Sequence, residues 1–248
     1  MISPVHKYIK DYAEAGANII TIHPEATENL EKSIQHIKDF KHSGKPFSTI
    51  TAYDYISAQI VDEAQIPLIL VGDSASMMVY GYDTTIPITM KEMLLLVKAV
   101  TRGAKHSLVV ADMPFLSYQP SIEETIYNAG LFLKEGRASA VKIEGGVHIV
   151  KHVRALVENG IPVLGHIGLT PQSYHQLSGY KIQGKTPSDA QKIIGDAIAL
   201  QDAGAFGVVL ECIPDALALK ITNQLDIPTI GIGSGKMCDG QIQVYHDI

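Results

Sequence analysis

The chain has 248 residues, 46% hydrophobic and 19% charged; that balance excludes a disordered protein, and the length suits a single large α/β core. A formal net charge of -6 gives no electrostatic basis for gripping a phosphate backbone, so nucleic acid is not an expected partner. Two cysteines without metal-type spacing (Cys212, Cys238), no signal-peptide pattern in residues 1–10 and no stretch near the ~18 apolar residues of a membrane span lead us to expect a cytoplasmic protein acting on small molecules.

In chain order, residues 1–40 hold a helical stripe (Val5, Tyr8, Ile9, Tyr12), a strand-like run over 17–23 and a second helical stripe (Leu30, Ile34, Ile37, Phe40). From Lys45 onward, runs rich in Val, Ile and Leu alternate with segments of helical period, the pattern of βαβ units. The runs cover 47–53, 67–72, 107–113, 140–144, 162–165, 207–212, 228–233 and 241–246. Eight parallel strands close a barrel, so the expected fold class is α/β: a (β/α)8 TIM barrel over 41–248, preceded by an α-β-α appendage over 1–40. A ninth strand cannot enter a closed barrel, and the 18–23 run is expected to pack outside it. Helix starts are marked by paired capping residues, Thr89 with Glu92, Ser121 with Glu124 and Ser188 with Gln191. Gly136, Gly160 and Gly204 are expected to end helices in the left-handed conformation. Two connections, 72–87 and 168–187, are longer than usual, and the second is expected to cover a site.

A TIM barrel is packed solid inside and presents reactive groups at the carboxyl ends of its strands. Those ends carry Asp54, Asp73, Ser74, Asp112, Lys142, Glu144, His166, Glu211, Ser234, His246 and Asp247. Strands turn polar simply by leaving a core, but Asp73, Asp112 and Glu144 fall on three successive strands, which gathers three carboxylates. Such a cluster repels itself unless a cation offsets it, and an all-oxygen set with room for water suits Mg2+. The alternative is a structural network neutralised by Lys142 and surface arginines. His166 reads either as a hydrogen-bonded core residue or as a functional one. Glu211, preceded by Val208, Val209 and Leu210, is the candidate base, since apolar neighbours favour a raised carboxyl pKa. The glycines of 231–235 lack the P-loop ending and the dinucleotide spacing, and read as a tight turn at the seventh strand exit.

The order of the strand-exit motifs carries a resemblance. They are Thr51-Ala52-Tyr53-Asp54, Val71-Gly72-Asp73-Ser74, Ala111-Asp112-Met113-Pro114-Phe115, Lys142-Ile143-Glu144-Gly145-Gly146, Gly165-His166-Ile167-Gly168-Leu169-Thr170-Pro171-Gln172, Leu210-Glu211-Cys212, and Gly231-Ile232-Gly233 with Asp239-Gly240-Gln241. Over about 37–247 this closely resembles the ketopantoate hydroxymethyltransferase family. The resemblance implies transfer of a hydroxymethyl unit from 5,10-methylenetetrahydrofolate to 3-methyl-2-oxobutanoate, through a Mg2+-stabilised enolate, to form 2-dehydropantoate in pantothenate biosynthesis. It implies Asp73 and Asp112 as direct Mg2+ ligands with Glu144 near through water, and Glu211 as general base with Lys142 and His166 in the catalytic set. Ser74, Lys142 and His166 would hold the keto acid, and Tyr53, Asp73 and Asp112 complete the expected substrate-binding residues. A homo-oligomer, a decamer, is implied as well.

Three departures accompany the match. Ala75-Ser76 stand where the family usually has Leu-Gly; similar enzymes continue into further helices, so the barrel is expected to lack its final helix; and residues 2–38 resemble an internal piece of ribulose-phosphate 3-epimerase without its metal motifs, so His23 and Glu25 are not expected to form a site. The competing readings are a non-catalytic truncated or chimeric fragment and another Mg2+-dependent, enolate-forming barrel lyase.

Overall fold

The computed structural model describes residues 29–177 and 179–248. The stripe Val5, Tyr8, Ile9 and Tyr12, the strand-like run over 17–23, and His23 and Glu25 lie outside the described residues.

Eight aliphatic runs become parallel strands: β1 (Phe47–Thr51), β2 (Leu68–Val71), β3 (Leu108–Asp112), β4 (Ala140–Glu144), β5 (Val163–Gly168), β6 (Gly207–Glu211), β7 (Thr229–Ile232) and β8 (Gly240–Gln243). They close in chain order, with β8 returning to pair with β1 through Phe47↔Gly240 to Ile50↔Gln243. The helices are α1 (Asn29–Ser43), α2 (Tyr55–Glu63), α3 (Ala75–Met78), α4 (Met90–Gly103), α5 (Ile122–Lys134), α6 (Val150–Glu158), α7 (Tyr174–Leu177), α8 (Pro187–Asp202) and α9 (Asp215–Gln224). No helix among the described residues is long and apolar enough to cross a membrane.

Two strand ends differ from expectation by three residues, the other limits by two or fewer. β5 continues to Gly168 because β6 keeps pairing with it as far as Gly168↔Glu211. β8 stops at Gln243, where its pairing with β1 ends, so His246 and Asp247 fall in an exposed 3-10 turn, Tyr245–Asp247.

The strands alternate between two cores, as period-two side chains must. Leu68, Leu70, Leu108, Val110, Ala140, Leu164, Val209 and Ile230 fill the barrel interior. Their neighbours Ile69, Val71, Val109, Ala111, Val141, Val163, Val208 and Leu210 pack under the surrounding helices.

Helix starts follow capping chemistry. Thr89 and Glu92 cap α4 reciprocally, and Ser121 accepts from the Glu124 N–H at the start of α5. The cap of α8 lies two residues before the expected one: Thr186 accepts from the Asp189 N–H, and Pro187 takes the first helical position, where a missing N–H costs nothing. Ser188 and Gln191 thus lie inside the helix. Gly160 and Gly204 adopt positive φ as expected, but at the end of α5 it is Arg137 that does so (φ 60). Gly136 is required there for space, since a Cβ would strike the Phe132 carbonyl oxygen and the Val97 side chain.

α1 lies across the amino-terminal mouth of the barrel. Its Ile37 is fully buried in the interior cluster beside Phe47, Leu68 and Leu108, with Ile34 and Phe40 packed against the same cluster. Phe40 stacks on Phe47 at 4.8 Å between ring centroids. Lys41 Nζ reaches the Thr222 carbonyl and lies 3.2 Å from Asp239 Oδ2, which also accepts from the Thr229 N–H and hydroxyl. The helix therefore crosses the boundary drawn at residue 40, and its apolar stripe serves the barrel: the open end exposes interior side chains that something must cover.

Asp62, on α2, ties that helix to the approach of β3. Its Oδ1 accepts from the His106 N–H (2.9 Å), the Ser107 N–H (2.7 Å) and the Ser107 hydroxyl (2.8 Å). Burial pushes this carboxyl up, but the hydrogen bonds from Ser107, His106 and Lys105 outweigh it and hold the pKa below the usual value. A depressed folded-state pKa gives stability that is present above the unfolded pKa and is lost as pH falls through the folded one. Asp62→Ala is expected to cost roughly 2–3 kcal/mol at pH 7, with the deficit shrinking toward pH 3, as urea denaturation at several pH values would measure.

Candidate active site

The inner-facing register that places Leu108 and Val110 in the core carries on to Asp112, two residues later on β3. The same step takes Ala140 to Lys142 and Glu144 on β4, Leu164 to His166 on β5 and Val209 to Glu211 on β6. One apolar layer is thus topped by one polar layer at the carboxyl end. Asp73 joins it from the turn after β2, where its N–H donates to Asp112 Oδ2 at 3.2 Å.

These groups line a cavity of about 190 Å3 with Thr51, Ser74, Thr85 and Tyr180, against an apolar wall that includes Leu70, Val209, Ile232, Ile242 and Val244. Lys142 Nζ donates to Asp112 Oδ1 at 2.7 Å and lies 3.6 Å from Glu144 Oε1. His166 stands between two acids, Nδ1 3.6 Å from Glu144 Oε1 and Nε2 3.1 Å from Glu211 Oε2, neither pair aligned as a hydrogen bond. Glu211 is the most open acid of the group; its side chain is 17% exposed, against 2% for Asp112 and Glu144.

Three buried carboxylates face one ammonium, and the electrostatics follow. Burial, and then Asp112 and Glu144, push the Asp73 carboxyl well above the usual range. Burial also raises Glu144, although Lys142 and His166 oppose it. Burial alone would lower Lys142, but Asp112, Glu144 and Asp73 outweigh it and keep the ammonium charged.

The donor set fits a hard divalent cation. Asp73 and Asp112 adjoin, and Glu144 Oε1 is a buried acceptor without a hydrogen-bond partner. Among the described residues no three His, Cys, Asp or Glu side chains form a ready ligand group, so such an ion would complete its shell with water and substrate oxygens, which is how Mg2+ is usually held.

The remaining strand-exit residues serve the framework. Asp54 caps α2, accepting from the Ile56 and Ser57 N–H groups, and Ser234 donates to the Leu210 carbonyl. His246 and Asp247 are exposed in the terminal turn and outside the cavity lining. Tyr53 stands behind Ser74, sharing a 2.8 Å hydrogen bond with its hydroxyl rather than facing the cavity. At the departure Ala75-Ser76, the buried Ser76 hydroxyl donates to the Thr84 carbonyl and ties α3 to the loop that follows.

The long connection after β5 starts at Gly168, where φ is +92° and a Cβ would strike the Glu211 carbonyl oxygen. It is pinned back by Leu169 N–H to Glu211 O and Gln183 N–H to Cys212 O, and it brings Tyr180 to the cavity. Its Gln172, together with Tyr118 after β3, was not singled out from sequence. Gln172 Nε2 donates to Asp73 Oδ2 (2.9 Å) and the Met113 carbonyl (2.8 Å), while its main-chain N–H donates to Glu144 Oε2 (3.0 Å). The signal available was the Pro171-Gln172 step in a strand-exit motif, which says only that the residue follows a turn.

Comparison with known proteins agrees with this architecture. Residues 31–248 match the family model described as ketopantoate hydroxymethyltransferase. A protein of Carboxydothermus hydrogenoformans named 3-methyl-2-oxobutanoate hydroxymethyltransferase is 60% identical over 216 residues, covering 87% of this chain and 78% of the relative. One of the same name from Dehalococcoides mccartyi is 53% identical over 219 residues, covering 88% and 78%. In fold the chain is similar to phosphonopyruvate hydrolase solved with oxalate and Mg++, at a TM-score of 0.64, 13% identity and 87% and 81% coverage. With the family model matched over most of its length and relatives at this identity, the chain belongs to the ketopantoate hydroxymethyltransferase family.

Proposed function

We propose that the chain transfers a hydroxymethyl unit from 5,10-methylenetetrahydrofolate to 3-methyl-2-oxobutanoate, forming 2-dehydropantoate for pantothenate biosynthesis. The observation that carries this reading is the lining of one small cavity: Asp73, Asp112 and Lys142 in contact with one another, Glu211 from β6, and an apolar wall suited to an isopropyl group.

Asp73 and Asp112 would hold Mg2+ directly and Glu144 through water; when bound, the ion supplies Lewis-acid charge to the carboxylate and keto oxygens of the substrate. Lys142, fixed on Asp112, adds positive charge where the keto oxygen gains electrons. Ser74 binds the keto acid, its hydroxyl oriented by Tyr53. Glu211 accepts the C3 proton as that C–H bond breaks, with His166 Nε2 beside it at 3.1 Å. The C3 carbon then bonds to the one-carbon unit while both bonds from that carbon to the folate nitrogens are broken; one water supplies the hydroxyl oxygen, its proton and the one taken from C3 end on the nitrogens, and tetrahydrofolate leaves. The connection carrying Tyr180 shields the cavity from water. Exposed Ile56 and Ile60 on α2 and Leu95 on α4 support assembly into a homo-oligomer, and the two free cysteines accord with a cytoplasmic location.

The test follows the C3 proton by NMR in D2O and assays 2-dehydropantoate separately. Exchange at C3 is expected to require enzyme and Mg2+ but no folate, and product to require folate as well. Turnover of the keto acid independent of folate would place the chain with the enolate-forming lyases instead.

A further inference from the structure

We propose that Gln172 is the positioning residue of the acid cluster: its amide fixes the Asp73 carboxylate in the orientation that a cation needs, and Tyr118 fixes the amide. The proposal rests on the reading above, in which Asp73 and Asp112 hold the metal.

The two acids are not equally restrained. Asp112 is held at both oxygens, Oδ1 by Lys142 and Oδ2 by the Asp73 N–H. The carboxylate of Asp73 has one hydrogen-bond donor among the described residues, Gln172 Nε2, at 2.9 Å on Oδ2. Without it, the buried and mutually repelling acids leave the Asp73 side chain free to rotate away from Asp112.

Gln172 is itself held in one orientation. Its Nε2 faces two acceptors, Asp73 Oδ2 and the Met113 carbonyl, and its Oε1 faces two donors, Tyr118 Oη at 2.8 Å and Gln119 Nε2 at 3.3 Å. A flipped amide would set its oxygen against the Asp73 carboxylate and the Met113 carbonyl, so that side of the network admits one assignment. The single Tyr118 hydroxyl proton is shared between Gln172 Oε1 and the Glu144 carbonyl, 3.0 Å away, which joins the amide to β4. Pro171 opens the 3-10 turn Pro171–Ser173 and presets the backbone that delivers Gln172. Because the contact to Glu144 Oε2 comes from the main-chain N–H, changing the side chain separates the Asp73 function from the Glu144 function.

The experiment is a Mn2+ titration of the full chain by electron paramagnetic resonance, with steady-state kinetics and thermal melting alongside. Gln172→Met keeps the length and removes every polar contact of the side chain; it is expected to weaken Mn2+ binding by roughly tenfold or more, as loss of outer-shell support to a metal ligand does. Saturating Mn2+ is expected to restore most of kcat, a response that a general loss of folding would not give. Tyr118→Phe keeps the amide but frees its oxygen, and is expected to shift Mn2+ affinity in the same direction by less; it carries the test should Gln172→Met fail to fold. Wild-type Mn2+ affinity in either folded variant overturns the proposal, as does a loss of kcat that saturating metal leaves unchanged. A wild-type chain that binds no Mn2+ defeats the metal reading itself, and that arm is read before any variant is compared.

Discussion

Glu211→Gln is expected to lower kcat by roughly 100- to 10,000-fold, the usual contribution of a positioned proton-transfer group. The amide has nearly the shape of the carboxylate but cannot accept the C3 proton at neutral pH. Glu211 lies at the end of β6, more open to solvent than Asp112 and Glu144, with His166 as its neighbour, so the change leaves the barrel interior intact. KM for the keto acid is therefore expected to change little, because the acids and Lys142 remain. The deciding measurement is C3 exchange with Mg2+ and no folate. Loss of exchange together with product formation assigns the proton to Glu211; exchange at the wild-type rate would move the base elsewhere in the cavity.

Lys142→Met carries the second large effect, on stability as well as on turnover. The ammonium is 3% exposed and answers Asp112 at 2.7 Å and Glu144 at 3.6 Å. Removing one partner of a buried ion pair strands the other charge, at a cost of roughly 3–5 kcal/mol. The pH dependence has a definite sign. Asp73 and Glu144 have raised carboxyl pKa values, burial being the first cause, and Lys142 is among the influences pulling both down. A carboxyl whose folded pKa lies above its unfolded value contributes stability that is fully present below the unfolded pKa, about 4, and is lost as pH rises through the folded one. Without Lys142 both folded values rise further, so the loss widens as pH increases. Urea denaturation without added divalent metal is expected to show a smaller deficit at pH 5 than at pH 8. An equal deficit at both would mean that the acids are not coupled to the ammonium.

Much of the cavity was legible because it follows a strand rule. Asp112, Lys142, Glu144, His166 and Glu211 sit on the inner parity of their strands, so counting residues from the apolar run delivers each to the same layer. Parity does not extend past the last ladder pair. It therefore could not say that Tyr53 would end behind Ser74, that β8 would stop before His246, or that Asp54 and Ser234 would be spent on a helix cap and a carbonyl.

What the amino-acid order determined unaided was the sequence of strands and helices, the side of each strand that faces inward, and the family, because periodicity and motifs are local and survive without coordinates. Tertiary structure alone decided which distant groups meet: Gln172 with Asp73, 99 residues away, and Lys41 with Asp239, 198 away. It also turned the Ile34, Ile37 and Phe40 stripe from an appendage into the plug of the barrel mouth. Those contacts arise only once the eighth strand closes on the first. Closure sets the distances across the ring, and no window of neighbouring residues contains them.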